Sequence, residues 1–285
     1  MTTTEQTQLV LAIDVGNSRL KLGLFEQPNQ QPQALPKCLN RLAVPIGQPV
    51  PWQTVLEWTR GKKLTAAVAG ANPQGVKQVV ESWPSELTAT PRVFADVTGF
   101  PIRLEVDEPA RVGIDRVLNA VAANVLRRPG AVAIIVDSGT ATTVDFVTEE
   151  GAFGGGAILP GLCLAAKALN QYTALLPLVD LSELSEQLPP AVGKNTTEAI
   201  RSGLYWGQLG AVRELVQRMW RQVQGHSKDR PLVLLTGGGG QVLSREMPEA
   251  LLLPHLSLQG LTLVALNRST TEPSARQSEC EGNEP

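Results

Sequence analysis

An α/β architecture built from two related halves is what this sequence predicts, on three observations. Short apolar runs with strand character alternate with stretches of helical spacing along most of the chain. Two of those runs end alike. "LVLAIDVGNSRLKLGLF" passes from Leu9–Ile13 into Asp14-Val15-Gly16-Asn17-Ser18, and "AVAIIVDSGTATTVDF" passes from Ala131–Val136 into Asp137-Ser138-Gly139-Thr140. A third run, in "PLVLLTGGGG", enters the turn Thr236-Gly237-Gly238-Gly239-Gly240. The matching Asp-x-Gly turns, each between paired strands, suggest a duplicated unit.

In chain order, Leu9–Ile13 is a buried strand and Leu20–Phe25 a second one after the tight turn. Residues Gln27–Lys37 form a polar, proline-bearing loop. "WQTVLEWTRG" carries Trp52, Val55, Leu56 and Trp58 at helical spacing and ends at Gly61. A strand in Leu64–Pro73, a helix in "GVKQVVESW", a strand in "PRVFADV" and a short strand at Pro101–Val106 follow. From Asp115 to Arg128 apolar residues return every three or four positions, which predicts a helix. The pattern then restarts. Strands at Ala131–Val136 and Ala141–Val147 precede an "EEG" hairpin turn, a helix from about Leu162 to Gln171, and a long helix from Thr196 to about Gln224. The boundaries expected are 9–129 and 130–268 for the halves, with 269–285 a disordered polar tail.

Composition narrows the function. With 285 residues, 42% hydrophobic and 18% charged, the chain is a globular protein with ample core. A formal net charge of -2 gives no reason to expect nucleic acid or an anionic membrane as partner. No apolar run approaches the roughly 18 residues that span a bilayer. "MTTTEQTQ" has no basic segment before the first apolar run, so no secretory signal is expected and the cytoplasm is the default. The cysteines Cys38, Cys163 and Cys280 form no CxxC pair. The only histidines, His226 and His255, read as solvated or locally bonded, which disfavours zinc sites and triad hydrolases. Chemistry must therefore run on carboxylates, hydroxyls, backbone amides, Lys and Arg.

A strand that delivers a carboxylate and then a turn of Gly, Ser and Thr offers several N–H and O–H donors in one concavity. Such a nest binds phosphate oxygens while the Asp holds a cation or its water shell. The plainer reading of either turn alone is a hairpin in which Asp and Ser bond the local backbone. Three such turns in one chain fit a nucleotide better. No GxxxxGK[ST] or GxGxxG loop is present.

In this order the motifs resemble those of the actin-like ATPase and sugar-kinase superfamily, and within it type III pantothenate kinases. The resemblance runs from Leu9 to Leu266: "DVGNSRLK", "VGIDRVLNA", "DSGTATTVD", "GGGAILPG", "GKNTTEAIRSG", "TGGGG" and "LSLQGL". It implies two ribonuclease-H-like domains with a nucleotide cleft between them. It also implies ATP-dependent phosphorylation of pantothenate, the first step toward coenzyme A, with Mg2+ and a monovalent cation (K+ or NH4+). The alternatives are another small-molecule kinase of the superfamily or an inactive nucleotide-binding regulator.

Carried over residue by residue, the resemblance makes Asp115 the base that takes the substrate proton. Gly113, Ile114, Arg116 and Thr196 become its substrate-binding partners. Residues Asp14, Val15, Gly16, Asn17, Ser18, Arg19, Leu20, Lys21 and Thr140 would bind ATP, with Asp14 near Mg2+ and Asp137 on the monovalent cation. Plainer roles stand beside these. Asp115 suits a helix N-cap, Arg116 a surface helix position, Lys21 a solvated strand, and "NTTE" a helix start capped by Asn195 with Glu198 after it. Gly203, Gly207 and Gly210 would permit close helix packing, and with Thr196 they suggest a homodimer. Two departures stand out: Val106 or a neighbour stands where the family often has a Tyr, and "AGANP" stands where it tends to have Ser-Val-x-Pro.

Overall fold

A computed structural model describes residues 7–28, 34–87, 89–223 and 230–267. His226, Cys280 and the expected tail lie outside the described residues. The first half contains β1 (Thr7–Val15), β2 (Arg19–Pro28), β3 (Lys37–Pro45), α1 (Trp52–Thr59), β4 (Thr65–Ala69), α2 (Pro73–Glu81), β5 (Pro91–Phe94) and α3 (Ile114–Leu126). The second contains β6 (Ala133–Ser138), β7 (Ala141–Val147), β8 (Phe153–Pro160), α4 (Leu162–Gln171) and α5 (Thr196–Val223). It continues through β9 (Leu232–Thr236), α6 (Gly240–Ser244), β10 (Leu251–Leu252) and α7 (Leu256–Leu266).

The strands form two five-stranded mixed sheets, ordered β3-β2-β1-β4-β5 and β10-β9-β6-β7-β8. Within each sheet the first three strands are antiparallel neighbours, and the last two run parallel to the first. Both sheets therefore follow the order third-second-first-fourth-fifth. The duplication suggested by two turns extends to the whole topology, and the expected α/β pair of ribonuclease-H-like units is what the chain forms.

Two helices join the sheets. α3 buries Val117, Leu118 and Val121 in one core with Val10, Ala12 and Phe25 of the first sheet. Its other side places Ala120, Ala122 and Ala123 against Ala133, Ile135 and Leu234 of the second. The alternation of large and small residues in "VLNAVAANVL" thus fits a helix covered on both faces. α7, the last helix among the described residues, returns to the first sheet: Leu258, Leu261, Val264 and Ala265 share the core of Val10 and Ala12. α3 and α7 cross at Gly260, where a Cβ would collide with the Leu118 carbonyl.

Three sequence expectations change. Pro101–Val106 is not a strand; only Leu104 makes an isolated bridge, to Phe153, because the backbone there serves as an edge for the start of β8. β3 occupies Lys37–Pro45, directly after the expected loop, and β2 runs on to Pro28. Asp115 is not the cap of α3: Gly113 holds that position, leaving the carboxylate in the first helical turn. Among the described residues no helix is long and apolar enough to cross a membrane.

Candidate active site

Both Asp-x-Gly turns lie at the ends of equivalent strands and meet each other. β1 carries Asp14 to its end at 3% exposure. The turn that follows is closed by the Gly16 N–H donating to the Arg19 carbonyl (3.0 Å), with Asn17, Ser18 and Arg19 exposed. β6 ends on Asp137 and Ser138, and its turn is closed by the Gly139 N–H donating to the Ala141 carbonyl (2.9 Å). The Ser18 and Thr140 hydroxyls are 2.7 Å apart. The side chains of Val15 and Leu20 face the core of the first sheet, so these two residues offer a ligand only their backbone. The third turn packs onto the second. Thr236 pairs with Asp137 across β9 and β6, and the Gly239 N–H donates to the Ser138 carbonyl (2.8 Å). Gly237, at φ +79°, leaves no room for a Cβ because Asp137 Oδ1 occupies that space.

Three carboxylates face this junction. Ser257 Oγ, on α7, donates to Asp14 Oδ2 at 2.8 Å, and Lys21 Nζ lies 3.6 Å from the same oxygen. Asn119 Nδ2, one helical turn beyond Asp115 on α3, donates to Asp137 Oδ2 at 3.0 Å. Asp115 Oδ1 accepts only from the Arg116 N–H, at 2.9 Å, among the described residues. Burial raises the Asp115 pKa above the usual carboxylate range, and the charges of Asp14 and Asp137 raise it further against the pull of Lys21. Asp137 is raised too, chiefly by burial, with Lys21 and Asn119 opposing. For Lys21, burial acts to lower the pKa, but Asp14, Asp137 and Asp115 together hold it above its ordinary value. The three carboxylates are therefore coupled through one lysine.

The donor set suits hard cations and phosphate. No three carboxylate, His or Cys groups converge closely enough to form a metal cage among the described residues. A magnesium ion characteristically takes one or two carboxylates and completes its shell with phosphate oxygens and water, and Asp14 fits that demand. Beside Asp137, the buried Asn119 Oδ1 has no hydrogen-bond partner among the described residues, an orphaned acceptor that a cation or its water would satisfy.

Sequence reasoning missed three members of the site. Asp145 on β7 accepts from Arg116 Nε (2.8 Å) and Nη2 (2.5 Å) through one oxygen, and from Thr143 Oγ1 (2.9 Å) through the other. Asn119 and Ser257 are the others. Asp145 left a signal, a carboxylate flanked by Val144 and Phe146 within a strand; Ser257, 243 residues from Asp14, left none. Arg116 is only 15% exposed, so it is not a surface helix residue. Gly113 and Ile114 lead into the Asp115 turn, with Ile114 buried. Thr196 is exposed at the first turn of α5 and bonds to none of these carboxylates among the described residues. The expected cap is present there: Asn195 Oδ1 accepts from the Glu198 N–H (2.9 Å), and Glu198 accepts from the Lys194 N–H (2.9 Å). His255 is bonded, though not locally: its ring accepts from Arg41 Nη1 across 2.7 Å, a contact between residues 214 positions apart in the chain.

Residues 10–218 match the family model described as type III pantothenate kinase. A type III pantothenate kinase of Rubrobacter xylanophilus is 38% identical, covering 92% of this chain and 99% of that protein. One from Listeria monocytogenes is 30% identical over 93% of this chain and 100% of its own length. Among solved structures, a Campylobacter jejuni protein described as a Baf family transcriptional activator superposes with a TM-score of 0.54. It is 18% identical and covers 90% of this chain and 96% of that one, a likeness that shows the fold alone. With its duplicated sheets, its paired Asp-x-Gly turns and these relatives, the chain belongs to the type III pantothenate kinase family, the ATP-dependent kinases that phosphorylate pantothenate in coenzyme A biosynthesis.

Proposed function

We propose that Asp115 is the base of this kinase, taking the proton of the pantothenate hydroxyl as its oxygen bonds to the γ-phosphorus and the bond to ADP breaks. The observation that carries the reading is the position of Asp115: half-buried on a helix held between both sheets, beside Asp14 and Asp137, with a raised proton affinity. A base of raised pKa accepts a proton more readily at neutral pH. Phosphoryl transfer asks mainly for alignment and charge neutralisation, which the two turns and Lys21 supply. Residues 14–21 and Thr140 cradle the ATP phosphates, with the exposed Asn17, Ser18, Arg19 and Thr140 supplying the N–H and O–H donors. Magnesium, bound near Asp14, would neutralise charge on those phosphates. Asp137, with Asn119 beside it, holds K+ or NH4+.

Gly113, Ile114 and Arg116 line the acceptor side, Arg116 donating to the substrate carboxylate. Thr196 reaches an acceptor in the partner subunit of a homodimer. Its support is the group of exposed apolar residues Leu164, Tyr172, Leu175 and Leu178 on and just after α4, against which α5 begins through Ile200 and Ala166. Gly203, Gly207 and Gly210 face outward on α5 with nothing beside them among the described residues. Segments 9–129 and 130–268 are the units that close on the nucleotide, with α7 tying the second to the first. The enzyme works in the cytoplasm, without nucleic-acid or membrane partners.

Release of ADP from Mg-ATP, measured with and without pantothenate in potassium and then sodium buffer, tests this. Turnover that requires pantothenate and rises with potassium supports both the acceptor and the role of Asp137. ATP binding without turnover on any hydroxyl acceptor would mark an inactive nucleotide-binding regulator instead.

A further inference from the structure

Between α3 and β7 lies a buried ion pair, Arg116 with Asp145, and the chemistry above gives its carboxylate no task. Asp145 has no exposed surface. Both of its oxygens are engaged, one by the Nε and Nη2 edge of Arg116 and the other by Thr143. The Phe153 ring lies 5.4 Å from the guanidinium carbon. Across the β7–β8 ladder Asp145 faces Gly156, where a Cβ would come within 2.7 Å of Asp145 Oδ1. The carboxylate is thus wedged into one orientation, and through it so is the arginine. Arg116 Nη1 has no partner among the described residues.

Stability does not explain such a pair. Removing two charges from water often costs as much as their attraction returns. Burial raises the Asp145 pKa to about 6 even with Arg116 and Thr143 pulling it down, so holding the charge is unfavourable to folding. The pair also sits next to the residue read as the base, since Arg116 directly follows Asp115. A free arginine would lose much of its rotamer freedom, up to about 2 kcal/mol, on gripping a ligand. One already held by an edge loses far less.

We propose that Asp145 is a positioning residue that grips one edge of the Arg116 guanidinium and so presents the Nη1 edge, already oriented, to the carboxylate of the acceptor. The inference rests on the reading of Arg116 as an acceptor-binding residue. It makes the Asp145–Arg116 unit the device that distinguishes acceptors with a carboxylate from those without one.

The test compares pantothenate with an analogue in which a primary alcohol replaces the carboxylate, and reads the ratio of the two kcat/KM values. Asp145→Asn keeps the shape of the side chain but loses the charge-assisted grip. The ratio is expected to fall roughly tenfold, the equivalent of one charge-assisted hydrogen bond. Thr143→Val, which removes only the hydroxyl behind Asp145, serves if the first variant folds poorly, and is expected to lower the ratio about threefold. In an Arg116→Ala background neither substitution should lower the ratio further. A ratio unchanged by Asp145→Asn and Thr143→Val while Arg116→Ala lowers it would overturn the inference and leave the Arg116 reading intact. A ratio unaffected by Arg116→Ala would overturn that reading, and the inference with it.

Discussion

The hydroxyls of Ser18 and Thr140 lie 2.7 Å apart, although 122 residues separate them in the chain. Each comes from the turn after the first strand of one sheet, so this contact joins the equivalent points of the duplicated unit. Both residues are exposed, and a hydrogen bond that water can replace adds only about 0.5–1.5 kcal/mol at most. It is a contact that a phosphate oxygen can take over. Ser18→Ala and Thr140→Val should each weaken ATP binding roughly threefold to tenfold while moving stability by less than about 0.5 kcal/mol. Nucleotide titration and urea unfolding of both variants check this; lost stability with unaltered ATP affinity would count against it.

Asn119 ties the helix that carries Asp115 to the strand that carries Asp137. Asn119→Ala strips a buried carboxylate of a donor and should cost about 1–3 kcal/mol in chemical denaturation. Its activity should also depend less on potassium than that of the wild type, because the Asp137 carboxylate loses its fixed orientation. Unchanged potassium dependence in a destabilised variant would reduce Asn119 to a structural role.

Acidity offers a third check. The Asp145 pKa rises on folding from the ordinary 3.8 to about 6, so the folded state holds this proton more tightly than the unfolded chain. Stability linked to Asp145 is therefore greatest below the lower value and is lost as pH rises through the upper one, by on the order of 3 kcal/mol in total. Asp145→Asn lacks this component. The stability of the wild type relative to Asp145→Asn should fall as pH is raised from about 4 to about 7, read from urea midpoints. A difference that grows with pH would show that the ion pair outweighs the burial of its charge.

At the crossing of α3 and α7 there is no space for a side chain on Gly260, because the Leu118 carbonyl fills it. Gly260→Ala should destabilise the protein by about 1–3 kcal/mol through forced separation of the helices. α3 carries Asp115 and α7 carries Ser257, the donor to Asp14, so kcat should fall as well. A melting curve beside a rate measurement decides whether both move together.

Much of this was legible in the residues, for identifiable reasons. The strand ends at Asp14 and Asp137 announce themselves because a carboxylate and a glycine turn break an apolar run. α4 falls on Leu162–Gln171 as its spacing predicts. β3 was hidden because its residues alternate only between exposed and half-buried until Val44; it is a strand through pairing with β2 and not through its own pattern. α7 is buried on most sides, so its apolar residues carry no one-faced period. The grip of Asp145 on Arg116 spans 29 residues and that of Ser257 on Asp14 spans 243, distances at which only the finished fold brings the groups together.

The most direct test of the central claim is pantothenate-dependent ADP release by Asp115→Asn, with ATP binding measured on the same preparation. Loss of a positioned base predicts a fall in kcat of about a hundredfold to ten-thousandfold with ATP affinity within about twofold of the wild type. Turnover near that of the wild type would contradict the assignment of Asp115 as the base, and turnover and ATP binding lost together would make Asp115 part of the nucleotide site instead.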